Sequence, residues 1–153
     1  SVDYYGGATV LEADDLPFDN DEANGVTLGN YIVGKWISSN PFEKDAKGDL
    51  TEGARLLRHE YGHYIQSQRN GPAYLSKYGI PSALGAQWTE SDAQYRSDQY
   101  FSQRGSAPLF QYSYSSDYKP INEKWWEYGI LTVGAGPIWG SVIVAALNLS
   151  KGR

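Results

Sequence analysis

The order of hydrophobic and polar positions predicts that the longest helix lies in the middle of the chain. Residues 50–69 repeat apolar positions with a helical period. Asp49 and Glu52 have the three-residue spacing of a capping box at the start, and Gly71 supplies a stop signal just after the end. We therefore predict one long helix over residues 50–69.

A second helix is predicted further along the chain. The run Thr-Glu-Ser-Asp at 89–92 can cap a helix that extends to about Arg104 and ends at Gly105. Glu90 then lies in the first helical turn. The intervening residues between 72 and 85 are rich in Pro and Gly, which predicts short helical or turn pieces that connect the two helices.

Shorter β-like runs precede the first helix, at residues 7–11 and 26–33. The second run is rich in β-branched and aromatic residues, and it is predicted to be one strand in which Gly29 marks a bulge, a bend or a close backbone approach. Residues 12–25 between the runs are rich in Asp and Asn but lack the ligand spacing of an EF-hand loop. A solvated loop is therefore preferred there over a calcium site.

An uncharged stretch of 22 residues, 128–149, approaches the ~20 residues that a helix needs to cross a bilayer. Four Gly residues and Pro137 interrupt it. Two buried elements, 130–133 and 138–147, joined by a turn are therefore the preferred interpretation over a membrane span.

These elements fit one α+β domain, since 153 residues are enough for one sizeable core and too few for two ordinary ones. We predict a domain over 1–153, with its core at 25–105 and a C-terminal extension at 106–153. The net charge of -5 and the absence of a basic cluster argue against nucleic acid as a partner. The absence of Cys excludes disulfides, thiolate zinc sites and cysteine nucleophiles.

The candidate chemistry lies in the segment HEYGH, within the first predicted helix. His59 and His63 are four residues apart, so their Cβ atoms lie about 6 Å apart on one helix face and both imidazoles can bind one metal ion. Glu60 is rotated by ~100° from His59, which places it beside the metal as a general base for a zinc-bound water. Gly62, inside the helix, costs roughly 1 kcal/mol relative to Ala and so indicates a packing or functional reason. The alternative is that the two His side chains line a helix face without a metal.

A third protein ligand must be an oxygen donor, because the chain has no further His and no Cys. The pattern that supplies a third His is absent, since Gln66 and Arg69 occupy its Gly and His positions. Glu90 is the preferred ligand and Asp92 the competitor, because Asp92 suits a capping position. Glu90 could instead do no more than stabilise the helix dipole.

The segments HEYGHYIQSQRNGPAYLSKYGIPS and WTESDAQYRSDQYF resemble zincin metallopeptidases with a glutamate third ligand, the gluzincins. They are also similar to bacterial HExxH domains, some at the ends of large secreted or surface-exposed Rhs-type proteins. The resemblance covers Gly25 to roughly Phe101. It implies a minimal zincin-like fold, in which two ligand-bearing helices accompany a small sheet.

The same resemblance implies His59, His63 and Glu90 as ligands of one zinc ion, and Glu60 as the catalytic acid/base. The thermolysin-like members also have a His that stabilises the oxyanion, and this chain lacks it.

The function expected from this motif is zinc-dependent hydrolysis of a peptide or protein substrate. Asn30 and Tyr31 of the predicted strand could hold an extended peptide by edge addition. The alternative is a non-catalytic zinc-binding module that uses its many Tyr and Trp side chains to hold glycans or proteins. Because the chain begins at Ser1 and contains no Met, we interpret it as a processed product or an excised part of something longer. The resemblance to the bacterial HExxH domains implies that the longer precursor is bacterial, and secreted or at the cell surface.

Overall fold

The computed structural model of the chain describes residues 1–14, 24–83 and 86–109. Within them the chain forms a small α+β domain, which confirms the predicted fold class. The predictions for the acidic loop, for most of the C-terminal extension and for the apolar stretch 128–149 fall wholly or mainly outside the described residues. Among the described residues, no helix is both long and apolar enough to cross a membrane.

The sheet has four strands in the order β1-β2-β4-β3. Strand β2 pairs with β4 in parallel, and the other two pairs are antiparallel. The strands are β1 Val2–Tyr5, β2 Ala8–Glu12, β3 Gly25–Leu28 and β4 Tyr31–Gly34. Strand β3 is therefore an edge strand, while β4 lies between two neighbours.

The prediction of one strand over 26–33 is wrong, because the chain reverses direction at Gly29 and forms a hairpin. Gly29 has φ 61° and occupies the first of the two turn positions, a conformation that Gly adopts without a Cβ penalty. Asn30 lies in the turn, and Tyr31 belongs to the inner strand β4. The expected pairing of a peptide along these two residues is therefore wrong as well.

The first helix, α1, extends over Glu52–Asn70 and begins two residues later than predicted. Thr51 is its N-cap, because its hydroxyl accepts a hydrogen bond from the backbone N–H of Ala54 at 3.2 Å. Asp49 instead belongs to the preceding turn, where its N–H donates to the Asp45 carboxylate at 3.0 Å. The capping box with Asp49 is therefore wrong.

The connection after α1 is made of short helical pieces, as predicted. Gly71–Ala73 forms a 3-10 turn, Leu75–Gly79 a π-helical turn and Ile80–Ala83 the short helix α2. Helix α3 then extends over Gln87–Ser102, and Gly105 follows with φ 77°.

The start of α3 also differs from the prediction, because its N-cap is Ala86 and not a residue of the run 89–92. The Thr89 hydroxyl donates to the carbonyl oxygen of Ala86 at 2.7 Å, so it bonds back toward the start of the helix and does not cap it. Glu90 nevertheless lies in the first turn, as predicted.

The hydrophobic core lies between the sheet and the two long helices. Its members are Ala8, Val10 and Ile32 of the sheet, Leu57, Tyr61 and Tyr64 of α1, Phe101 of α3, and Ile37 from the segment between the sheet and α1. Two aromatic contacts join α1 to α3 here, since the ring centroid of Tyr61 lies 4.6 Å from that of Tyr100 and 5.8 Å from that of Phe101. Burial of these rings fixes the distance at which the two helices face each other.

Helices α1 and α3 approach each other closely at Gly62. A Cβ atom at this position would overlap the backbone carbonyl group of Ala93. Because the obstacle is backbone, no change of side-chain rotamer would relieve it. The glycine therefore has the packing reason that its place inside a helix indicates.

Replacing Gly62 with Ala is expected to lower the free energy of unfolding of the metal-free protein by about 2 kcal/mol. Helix propensity alone would stabilise the variant by roughly 1 kcal/mol, but overpacking typically costs about 1–3 kcal/mol and is severe against backbone. Urea unfolding measures the difference. Gln68→Ala, on the exposed face of the same helix, is the control and should change the stability by less than about 1 kcal/mol. A Gly62→Ala protein more stable than the parent would contradict the close approach.

Candidate metal centre

Helices α1 and α3 bring His59, His63 and Glu90 together. The Nε2 atoms of His59 and His63 lie 3.2 Å and 3.1 Å from the same carboxylate oxygen, Oε2 of Glu90. One ligand atom from each residue lies within 4.8 Å of the other two, which makes the three a group that could hold a metal ion. No other such group occurs among the described residues.

The separations in this group fit a tetrahedral metal site. Zinc binds His nitrogen and carboxylate oxygen at about 2.0–2.2 Å, so two ligand atoms at a tetrahedral angle are about 3.3–3.5 Å apart. The two nitrogen–oxygen separations are only slightly shorter than this. A metal ion can therefore enter with small movements of the side chains, and without a rearrangement of the helices.

The charges in the group already favour a cation. Burial would raise the pKa of the Glu90 carboxyl, but hydrogen bonds from His59 and His63 hold that pKa far below its usual range. Burial also works to lower the pKa of His63, but the hydrogen bond and the charge of Glu90 outweigh it and raise this pKa to about 9. A proton is thus held where a metal ion would bind, and metal binding must release it.

Ser82, in α2, fixes the orientation of Glu90. Its hydroxyl donates to Oε1 of Glu90 at 2.6 Å. The other carboxylate oxygen, Oε2, is thereby turned toward the two His side chains. The short helical pieces between α1 and α3 therefore also help to build the centre.

Glu60 lies beside the group and is only 4% exposed. Its Oε2 accepts a hydrogen bond from the Thr27 hydroxyl at 2.8 Å, so the edge strand β3 holds the carboxylate. Gly25 makes room for it, since a Cβ at this position would lie 2.7 Å from Oε1 of Glu60. The negative charge of Glu60 contributes to the raised pKa of His63, after the larger effects of Glu90.

Asp92, the competing third ligand, is not part of the group. It is fully buried, and its Oδ2 accepts hydrogen bonds from Gln66 Nε2 at 2.9 Å and from Arg96 Nε at 2.6 Å. A difference of two positions on a helix turns the side chain by about 200°, so Asp92 cannot share the direction of Glu90. Of the two candidates, only Glu90 meets the His pair.

Sequence reasoning missed three residues at the centre: Thr27, Ser82 and Tyr74. Tyr74 is 8% exposed, and its pKa is raised first by burial and then by the charges of Glu60 and Glu90. No local pattern marks these residues. Thr27 reaches Glu60 across 33 positions of sequence, and Ser82 reaches Glu90 only because the connection between the helices folds back. The segment quoted with HEYGH does contain Tyr74 and Ser82, which is the only signal that could have pointed to them.

Comparisons with protein-family models, with curated proteins and with solved structures find no match for this chain. The function must therefore be inferred from the fold and from the chemistry of the centre.

Proposed function

We propose that this chain is a zinc-dependent peptidase in which His59, His63 and Glu90 hold the ion and Glu60 is the general base. The observation that carries this proposal is the meeting of two imidazoles and one carboxylate beside a second, buried carboxylate that is not part of the ligand group. A site that served only to bind metal would have no need of that second carboxylate.

The donor set supports zinc over calcium and magnesium. Two His nitrogens and one carboxylate oxygen are ligands typical of catalytic zinc, which keeps three protein ligands and one open position. Calcium and magnesium prefer sites built from oxygen alone. When bound, zinc supplies a Lewis acid that polarises a carbonyl group and lowers the pKa of water.

Glu60 would move the proton. In peptide hydrolysis the attacking water must lose a proton and the leaving amine must gain one, and one carboxylate can carry out both transfers in turn. Thr27 donates to one oxygen of Glu60, which fixes the carboxylate plane and leaves the other oxygen to accept the proton. We assign to Thr27 the role of orienting the base.

The edge strand β3 supports a peptide as the substrate class. Gly25 and Thr27 are two positions apart on this strand, so they lie on the same face of the sheet. Both lie against the Glu60 side chain. Among the residues that the structure describes, no strand pairs with the outer edge of β3. An extended peptide that pairs with this edge would therefore pass close to the general base. We therefore propose that the edge of β3 binds the peptide, and not Asn30 and Tyr31 as expected from the sequence.

Tyr74 is our candidate for the hydrogen-bond donor to the developing oxyanion. It is buried, and its pKa is raised first by burial and then by the charges of Glu60 and Glu90, which keeps the hydroxyl protonated across the neutral and moderately alkaline range. We expect Tyr74→Phe to lower kcat by roughly 10²-fold, the usual loss for one oxyanion donor, with zinc content unchanged. Steady-state kinetics on a cleaved peptide measures this. Tyr31→Phe, exposed on the sheet, is the control, and a kcat within twofold of the parent for Tyr74→Phe would exclude this role.

The proposed activity is tested with the metal-depleted chain and a broad peptide library. Cleavage is expected when zinc is restored, and not with magnesium or calcium in its place, because the donor set favours zinc. Mass spectrometry of the products locates the cleaved bonds. A zinc-loaded chain that cleaves nothing in the library would count against the peptidase and favour the second candidate.

That second candidate is a zinc-binding module that holds a protein or glycan. It is favoured by the exposed side chains of Tyr4, Tyr31 and Leu28 on the outer sheet face, where the half-buried Thr9 lies between Tyr4 and Tyr31 on successive strands. Exposed aromatic rings of this kind are common at binding surfaces.

A further inference from the structure

Gln66 is a fully buried amide on α1, one turn after His63. Its Oε1 lies 2.9 Å from Nδ1 of His63. Its Nε2 donates to two acceptors on α3, the carbonyl oxygen of Thr89 and Oδ2 of Asp92, each at 2.9 Å. The amide therefore connects a metal-site imidazole with the neighbouring helix.

The chemistry of the α3 atoms fixes which way this amide points. A backbone carbonyl oxygen can only accept hydrogen bonds, and so can the carboxylate of Asp92, which is paired with the Arg96 guanidinium at 2.6 Å. The NH₂ group of Gln66 must therefore face α3. This orientation follows from the partners and does not depend on how the two amide atoms are assigned.

The orientation of the amide in turn determines the proton position on His63. With its NH₂ toward α3, Gln66 presents a carbonyl oxygen to Nδ1 of His63, and this oxygen can only accept. Nδ1 must then carry the hydrogen. In the neutral ring Nε2 is left with the free lone pair, and Nε2 is the atom that lies 3.1 Å from Oε2 of Glu90.

We propose that Gln66 is a positioning residue through which α3 fixes His63 in the Nδ1–H form, so that Nε2 is the nitrogen presented to the metal. This inference depends on the metal centre of the proposed function but not on hydrolysis. It gives α3 two roles at once, because the same helix supplies Glu90. It also explains why an amide stands at position 66, where the pattern with a third His has Gly.

The chain contains only two His residues, so the proton positions can be read directly. Long-range ¹H–¹⁵N correlation spectra of the ¹⁵N-labelled, zinc-loaded full chain give one set of imidazole signals for each, and correlations from each ring to its own backbone assign them. For His63 we expect a protonated Nδ1 that exchanges slowly with water and an Nε2 with the shift of a metal-bound nitrogen. A protonated Nε2, with zinc on Nδ1, would overturn the proposal. This measurement needs no variant of Gln66.

A pair of matched variants tests the role of Gln66. Gln66→Leu removes both hydrogen-bond functions, and Gln68→Leu makes the same change on the exposed face of α1. We expect Gln66→Leu to weaken zinc binding about 10–100-fold in competition with a chelator, and to remove the slow exchange of the Nδ1 proton. Gln68→Leu should match the parent in both. Equal zinc affinity for Gln66→Leu and the parent would also overturn the proposal.

The peptide assay on the same samples separates this inference from the proposed activity. A parent chain with His63 in the expected form but no cleavage would remove the peptidase and leave the role of Gln66 intact. Cleavage by a parent chain whose His63 binds zinc through Nδ1 would overturn the role of Gln66 and support the peptidase. A parent chain that binds no zinc would overturn both.

Discussion

Replacing Glu60 with Gln is expected to lower kcat for peptide cleavage by about 10²–10⁴-fold, the range that general acid–base catalysis usually contributes. The Gln side chain has nearly the same shape as Glu. It can still accept the hydrogen bond that the Thr27 hydroxyl donates to Oε2 of Glu60 in the parent at 2.8 Å. It cannot take a proton from water. The expected loss therefore belongs to proton transfer, and not to a change in the fold of α1.

Zinc content is the second measurement on this variant. Glu60 is not in the ligand group, so Glu60→Gln should bind zinc in the same stoichiometry as the parent. Glu52→Gln is the matched control, since it makes the same change at an exposed position in the first turn of α1 and should retain full activity. A Glu60→Gln protein that cleaves as fast as the parent would refute the proposed role of Glu60.

The parts of the centre that the sequence predicted are those governed by local geometry. The spacing of His59 and His63 on one helix face depends only on the pitch of a helix, and the structure has that helix. A different argument limited the third ligand to an oxygen donor, because a chain with two His and no Cys has no other donor left. Glu90 was then preferred to Asp92 because Asp92 suited a cap, and the structure has Ala86 as that cap. Composition was thus as informative as pattern.

The parts that the sequence did not predict depend on contacts between distant segments. Thr27 lies 33 positions from Glu60 and reaches it only because β3 is the edge strand beside α1. The hairpin at Gly29 was missed for a related reason, since both of its strands are rich in β-branched residues and the turn is only two residues long. A continuous apolar run hides a turn when the turn itself adds few polar residues.

The two N-caps were misplaced because several residues near each helix start can form the same bond. Asp49 and Thr51 are both residue types that cap helices well. The sequence alone does not show which of them belongs to the turn before α1 and which caps the helix. Asp92 was read as a cap for similar reasons. Its actual role, between Gln66 and Arg96, required knowing that α1 and α3 pack face to face.

Replacing His63 with Ala is expected to abolish stable zinc binding. It removes one of only three protein ligands, and the chain has no other His near the site to take its place. Metal analysis of protein purified without chelator or added zinc should find close to one ion per parent chain and almost none in the variant. An unchanged metal content would mean that the ion is bound elsewhere, and it would refute the centre.

Stability measurements must separate the lost ion from the lost side chain. His63→Ala also leaves a buried space and removes the partner of Gln66 Oε1, so the variant is less stable even without metal. The informative quantity is the gain on adding zinc. At a free zinc concentration 100 times Kd, binding stabilises the parent by about 2.7 kcal/mol, whereas a variant that cannot bind gains nothing. Gln68→Ala should gain as much as the parent, because Gln68 is exposed and makes its hydrogen bond to Asn30, away from the ligands.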